Sequence, residues 1–521
     1  MKNFWFLFIF IFIGSSFEGP FVFASLPTCD QTIRYDFSED YQLYKEKLKR
    51  NECKRKWTLL IYMAADNDLS PYSLWDIYEM EHKISGALNL GASTEHVDVI
   101  VELDTREQTG LRRLHIFQTD LEAKTALKLS DFEQKNESSI HSPVIQLLPE
   151  VGPGAIKDQS IRFENFLNFG LAEYPSEHTM VVIWGHGEGF IGTQTAAPRD
   201  NMGPAEWSSR PSGLLAEMSK IDLEMTIPES TYPGEKVMGG IAFDYSELSY
   251  IDLPTLAAIF KRVQNQSHKG RKIDLLAMDA CLMQTLEVAT ELSDSAQFLL
   301  GSTQIQDYLG LPYRHLLDQL NLKTTPYQLA MELPVQAGEI YRQGYGHSSL
   351  ETYTLSSLNL HELKYQFLPT LNHLGQRLLN YLAEDDFRIF ELQFLLENSE
   401  VFEGETRDLG IFLGGLKRLL WLEFQREGYE TPAALKLREM IDFTLTGLHQ
   451  TMISASYGDL YINASTRSSE NYWLGFFRGL GIWLPSSIEQ FNLRSKEFTE
   501  SKLWTEVPEY MALLNRLYSV E

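Results

Sequence analysis

From Trp57 onward, short apolar runs alternate with stretches in which apolar residues recur every three or four positions. The runs Thr58–Ala64, Val97–Leu103, His178–Trp184, Gly240–Phe243, Ile273–Met278 and Phe298–Ser302 are strand-length and nearly continuous in apolar character, which predicts buried strands. Between them, Tyr72–Ser85, Arg162–Glu173, Leu253–Gln264 and Met283–Leu292 predict helices. Leu111–Phe117, close after the second strand, predicts a hairpin partner. This alternation implies an α/β fold: a mainly parallel sheet flanked by helices, with the loops after its strands gathered at the carboxyl edge.

The alternation is interrupted at 193–239, a stretch of prolines, glycines and charges that reads as a surface insertion open to proteolysis. Its place between two strands with reactive ends suggests a processing loop. Beyond about Leu350 the pattern becomes mainly helical, clearest at Leu360–Leu382 and Pro432–Thr446, with one late buried strand at Gly475–Leu484. The expected organisation is a core at 57–350 followed by a mainly helical C-terminal region at 351–521.

The first 56 residues follow a different pattern. Phe4–Ile13 is a continuous apolar run after Lys2, and Val22-Phe23-Ala24 precedes a plausible cleavage point, so residues 1–24 read as a signal peptide and Ser25 as the first mature residue. The run is too short to span a bilayer unaided, and no later stretch is long and apolar enough to do so. The expected location is therefore exported: secreted, periplasmic or at the cell surface. Leu26-Pro27-Thr28-Cys29 hints at a lipidation box, but Pro27 and Thr28 stand where small residues are usual, which makes lipidation at Cys29 the lesser alternative. Residues 25–56 form a polar extension ending in Lys54-Arg55-Lys56. The formal charge of −26 would repel nucleic acid and anionic membranes.

Among three cysteines, Cys29 and Cys53 flank the N-terminal extension and would suit a disulfide in an exported protein, leaving Cys281 as the odd thiol. Cys281 ends the run Ile273–Met278 through Asp279-Ala280, and His186 ends an earlier run within Trp184-Gly185-His186-Gly187. Two parallel strands ending in this way would bring thiol and imidazole together, the layout of a cysteine hydrolase. The backbone amides of Gly187 and Cys281 would then hold the oxyanion formed on attack. Asp279, two residues before Cys281, shares its strand face and would line the adjoining pocket, where a carboxylate selects a cationic side chain. Asp66-Asn67-Asp68 follows the first strand and would open on the same edge, to contact substrate or bind Ca²⁺, though such triplets more often make turns and caps. Zinc, redox-dithiol and phosphate-loop motifs are absent from the chain.

With these residues in view, the chain resembles the clostripain-like cysteine peptidases, relatives of caspases, gingipains and legumain. The resemblance rests on Trp57–Leu69, Trp184-Gly185-His186-Gly187, Ile241-Ala242-Phe243-Asp244 and Met278-Asp279-Ala280-Cys281-Leu282-Met283, and covers Trp57 to about Tyr313. It implies a caspase-like sheet, a His186–Cys281 dyad, Asp279 in the pocket for the residue before the cleaved bond, and cleavage after Arg or Lys. It also implies maturation by a cut between the His and Cys strands, for which Arg199 and Lys220 are candidates, and for some members calcium dependence; no organic cofactor is implied. The chain departs from the family pattern after Phe298, with Gln304 in place of an acidic residue and Leu311 in place of Trp. The expected function is an exported cysteine endopeptidase. The alternatives are an inactive surface or binding protein that keeps the fold, and a thiol transpeptidase.

Overall fold

In chain order, the first strands of the computed structural model are β1 (Arg55–Ala65), β2 (Val97–Thr105), β3 (Leu111–His115), β4 (Val144–Leu148), β5 (Ser176–Trp184), β6 (Gly240–Asp244) and β7 (Ser249–Asp252). They are followed by β8 (Ile273–Asp279), β9 (Ala296–Gly301), β10 (Thr354–Asn359), β11 (Thr406–Asp408), β12 (Met452–Tyr457) and β13 (Gly481–Trp483). Nine of these make one sheet in the order β12-β10-β9-β8-β5-β1-β2-β3-β4. The pairs from β9 through β8, β5 and β1 to β2 are parallel, and antiparallel strands close both flanks.

The structure describes residues 55–82, 92–94, 96–106, 111–118, 140–149, 155–190, 239–306, 309–320, 323–343, 353–399, 402, 405–458, 477–499 and 501–518. The expected signal peptide, the Cys29–Cys53 disulfide, lipidation at Cys29 and the cut-site candidates Arg199 and Lys220 lie outside the described residues. Within them, no helix is long and apolar enough to cross a membrane.

The central strands are apolar on both faces because both are covered. On one face Leu60, Tyr62 and Ala64 of β1, Val181 and Ile183 of β5 and Leu276 and Met278 of β8 share a core with α2 (Gln159–Glu173) and α3 (Leu253–Gln266). On the other, Leu59, Ile61, Met63, Val182, Trp184, Leu275 and Ala277 pack with α1 (Ser70–Glu81), α5 (Tyr313–Gln319) and α6 (Pro326–Arg342). The two-residue period of a strand assigns Asp279 to the second face, next in step after Leu275 and Ala277.

Three expectations are corrected. Gly240–Phe243 does not enter the main sheet, because β5 and β8 pair directly and leave no slot beside the reactive strands; β6 instead forms a hairpin with β7, and its Ile241 bridges Gly187. The helix expected at Met283–Leu292 is only α4 (Leu286–Glu291), since the residues after Cys281 are spent in a turn and Thr285 caps the helix by accepting from Val288 N–H. The region after 351 has four strands rather than one late strand. β10 and β12 extend the main sheet, and the late strand, only Gly481–Trp483, pairs with β11 outside it.

The remainder of that region is helical, as expected. Leu360–Glu362 continues through a π-helical turn, Leu363–Phe367, into α7 (Leu368–Leu382), with α8 (Phe387–Asn398), α9 (Leu409–Glu427) and α10 (Pro432–Thr451) following. Leu371, Leu413 and Ile441 from these helices belong to the same core as α2 and α3, so sheet and core both continue across residue 350.

Candidate active site

Two strand ends meet at the carboxyl edge. β5 and β8 are in register from Met180 with Leu275 to Trp184 with Asp279, so the chain leaves both strands at one level. Gly185 N–H donates to Asp279 O at 3.3 Å, at a backbone φ of +142° that favours glycine. Gly187 then lies against the thiol loop so closely that a Cβ there would stand 2.6 Å from the Cys281 carbonyl oxygen and 2.9 Å from Ala280 Cβ. The loops carrying His186 and Cys281 are thus in backbone contact, and the structure brings these two sequence-predicted residues to one place.

His186 is held on two sides. Its Nε2 is 2.6 Å from Asp68 Oδ1, and its ring stacks on Tyr245 with centroids 5.7 Å apart and planes 4° from parallel. The pair is open to solvent, with 28% of the His186 and 34% of the Asp68 side chain exposed. Burial alone would raise the Asp68 pKa. The hydrogen bond and charge of His186 outweigh it, aided by bonds from the Asp68 backbone and the Tyr245 side chain, and the carboxyl lies below its ordinary value. Asp68 is the residue that sequence reasoning missed, since spacing identified no acid to orient the histidine. The only signal was its place in the oxygen-rich triplet after β1.

The hairpin of β6 and β7 fixes the other side of the histidine loop. Ala242 N–H donates to His186 O and Glu188 N–H to Gly240 O, both at 3.0 Å. In such an antiparallel bridge the intervening Gly187 directs its own N–H away from the hairpin. That orientation suits an oxyanion donor.

Cys281 is half-buried and not disulfide-bonded. Gln306 N–H points at its sulfur from 3.3 Å. The next residue, Leu282, has φ +63° and donates its N–H to Gln304 O at 3.1 Å. A left-handed leucine costs on the order of 1–3 kcal/mol, and such strain is held where the surroundings over-determine it. Here it turns the chain sharply beneath the thiol.

Asp279 is almost fully buried. It accepts from the Gln306 side-chain amide, from Leu311 N–H at 3.1 Å and from Tyr313 O–H at 2.7 Å. Burial pushes its pKa up to about 6, against the pull of the Tyr313 and Leu311 hydrogen bonds. Gly310, at φ +59°, allows this: a Cβ there would lie 2.8 Å from Asp279 Oδ2. The departures from the family motif fall here, Leu311 through its backbone N–H and Gln304 through its carbonyl.

The triplet after β1 divides its labour. Asn67, expected at the substrate, is instead fully buried: its amide donates to Ala64 O and Phe243 O at 2.9 and 2.8 Å and its Oδ1 accepts from Leu69 N–H. A short polar side chain at a strand end satisfies nearby backbone groups before it can reach a ligand. Asp66 accepts from Ser246 Oγ and, through its carbonyl, from Tyr245 N–H. With Asn67 spent on the turn and Asp68 on His186, the triplet does not fit a Ca²⁺ site, and among the described residues no group of three or more His, Cys, Asp or Glu is placed to hold a metal.

The model of the clostripain family, peptidase C11, matches residues 61–201 and 228–469. Among solved structures, a secreted C11 cysteine protease from Bacteroides thetaiotaomicron, "iotapain", is 15% identical over 87% of this chain and 99% of its own, with a TM-score of 0.52, which supports the fold. An inactive zymogen C11 protease from Parabacteroides distasonis is 14% identical over 87% and 98%, with a TM-score of 0.46. No curated protein matches. The family match spans well over half of the sequence, and the chain belongs to the clostripain family of cysteine peptidases, with the caspase-like fold of that family.

Proposed function

We propose that this peptidase is exported and cleaves peptide bonds after Arg or Lys, with Cys281 as nucleophile and His186 as general base and acid. The observation that supports the reading is the close approach of Gly187 to the Cys281 backbone, which joins the loop of an imidazole held by Asp68 to the loop of the thiol. Because Nε2 faces Asp68, Nδ1 is the nitrogen left to take the thiol proton.

The thiolate attacks the scissile carbonyl, and the Gly187 and Cys281 amides receive the developing oxyanion. Collapse breaks the C–N bond, with the imidazolium giving its proton to the leaving amine and a thioester left on Cys281. Water, deprotonated by His186, then adds to the thioester, and the thiolate leaves. Asp68 keeps its charge throughout and stabilises the imidazolium. Asp279, at the head of the nucleophile loop, supplies negative charge for a basic side chain before the cleaved bond, and the insertion at 193–239 supplies Arg199 and Lys220 as sites of self-processing.

The test is covalent labelling by a peptidyl acyloxymethyl ketone ending in Arg or Lys. Wild type should acquire one label on Cys281, and Cys281→Ala and His186→Ala should acquire none at the same rate. Labelling that survives in Cys281→Ala would remove the nucleophile assignment. Incubation of pure protein should yield two fragments, and a Cys281→Ala form cut at the wild-type rate would remove self-processing.

A further inference from the structure

Asp76, in α1, is fully buried and takes no part in the chemistry above. Its Oδ2 accepts the Trp184 indole N–H at 2.7 Å, but its Oδ1 is buried with no hydrogen-bond partner among the described residues. A carboxylate oxygen left unpaired in the interior is costly and calls for a reason.

Its surroundings supply one. Trp184 is the register partner of Asp279 on the adjacent strand, so both side chains leave the sheet on the face covered by α1 and α5. Asp279 is bonded to Tyr313, the first residue of α5, and α1 packs against α5. Asp76 and Asp279 therefore occupy one buried layer with Trp184 between their elements. Burial, and after it the negative charges of Asp279 and Glu79, push the Asp76 pKa well above its ordinary value; a hydrogen bond from Trp184 opposes them. The Gln306 side-chain amide rests on Asp279 Oδ1, an N–H donor in the position that a substrate cation would take.

We propose that Asp76 is the second carboxylate of the specificity pocket, joining Asp279 to bind the guanidinium of an Arg side chain and favouring Arg over Lys. This rests on the reading of Asp279 as the acid that selects a basic residue. A guanidinium presents five N–H donors in a rigid fork and can serve two carboxylates at once, whereas an ammonium is a compact charge satisfied by one. On entry the guanidinium displaces the Gln306 amide and meets the unpaired oxygen of Asp76. Burial and the nearby charge of Asp279 disfavour the ionised form of Asp76, and an arriving guanidinium favours it.

The experiment compares three fluorogenic peptides that differ only in Arg, Lys or Gln before the cleaved bond, on wild type, Asp76→Asn and Asp279→Asn. Asparagine keeps an acceptor for the Trp184 indole. The kcat/KM ratio of Arg to Lys should fall by about tenfold or more in Asp76→Asn, mainly through KM, while Asp279→Asn should lower both basic substrates relative to Gln. An unchanged Arg to Lys ratio, or an equal loss on all three peptides, overturns the role of Asp76. Should Asp76→Asn not fold, inhibition of wild type by benzamidine decides. It should bind about tenfold or more tightly than benzylamine, whose ammonium one carboxylate satisfies, and equal affinities overturn the proposal. Wild type that is labelled at Cys281 but prefers Gln over both basic residues would sink the basic-specificity reading itself, separately from Asp76.

Discussion

Asp68 Oδ1 lies 2.6 Å from His186 Nε2, joining the turn after β1 to the end of β5 across 118 residues of sequence. On the proposed mechanism, the contact would set which ring nitrogen serves the thiol and stabilise the imidazolium formed during turnover. Replacing Asp68 by Ala should lower kcat by about 10- to 100-fold with little change in KM, as expected for a group acting on the base rather than on substrate binding. Steady-state kinetics on a single Arg peptide checks this, and an equal rise in KM would point to a binding role.

The same pair gives a pH signature. The folded Asp68 carboxyl titrates below its unfolded value, so its contribution to stability is present above the unfolded pKa and is lost as pH falls through the folded one. In Asp68→Asn that loss should be missing from the acid limb of a melting-temperature profile.

Asp279 titrates in the opposite sense. Burial raises it to about 6, so the charged form is the one that folding disfavours: its stabilising effect is complete below the unfolded carboxylate pKa and disappears as pH rises through about 6. The proposed binding of a basic side chain needs the charged form. KM for an Arg substrate should therefore fall as pH rises through about 6, and Asp279→Asn should flatten that dependence.

Gly187 separates backbone fit from side-chain chemistry. A methyl group there would stand 2.6 Å from the Cys281 carbonyl, so Gly187→Ala must push the two loops apart. A displacement of about 1 Å at such a place costs on the order of 100-fold in rate. Labelling of Cys281 by the Arg ketone should slow by that order, with both dyad side chains intact.

Arg162 reports on the support behind the histidine. It bonds Asp104 and Asp244, and Gln159 also reaches Asp244 at 2.7 Å, next to the Tyr245 that stacks on His186. Arg162→Met removes the cation that the two buried carboxylates share, and breaking a buried pair costs about 3–5 kcal/mol. Denaturant unfolding should show that loss.

Tyr245 offers a finer comparison. Phenylalanine keeps the stack on His186 but loses the hydrogen bond to Asp68, whereas alanine loses both. Tyr245→Phe should cost only a few-fold in kcat and Tyr245→Ala about tenfold or more; equal effects would mean that the ring contact contributes nothing.

The apolar runs in β1, β5 and β8 and their reactive ends were readable without coordinates, because a strand buried on both faces must be apolar throughout and whatever follows it is delivered to the sheet edge. Cys281, His186, Asp279 and the α/β class follow from that local rule. β10, with the run Thr-Leu-Ser-Ser-Leu-Asn, carries too little apolar signal to be recognised, and its place in the sheet comes from pairing with β9 and β12, partners distant in sequence. β6 looked like a member of the main sheet because its composition is right, and only the direct pairing of β5 with β8 excludes it. Within Asp66-Asn67-Asp68, three similar side chains are distinguished solely by the path of the turn, which buries Asn67, ties Asp66 to Ser246 and aims Asp68 at the histidine. Sequence determined which chemical groups stand at strand ends, since that depends on local periodicity. Tertiary structure alone decided which of them touch, since those contacts join residues about 100 to 200 positions apart through the geometry of the sheet.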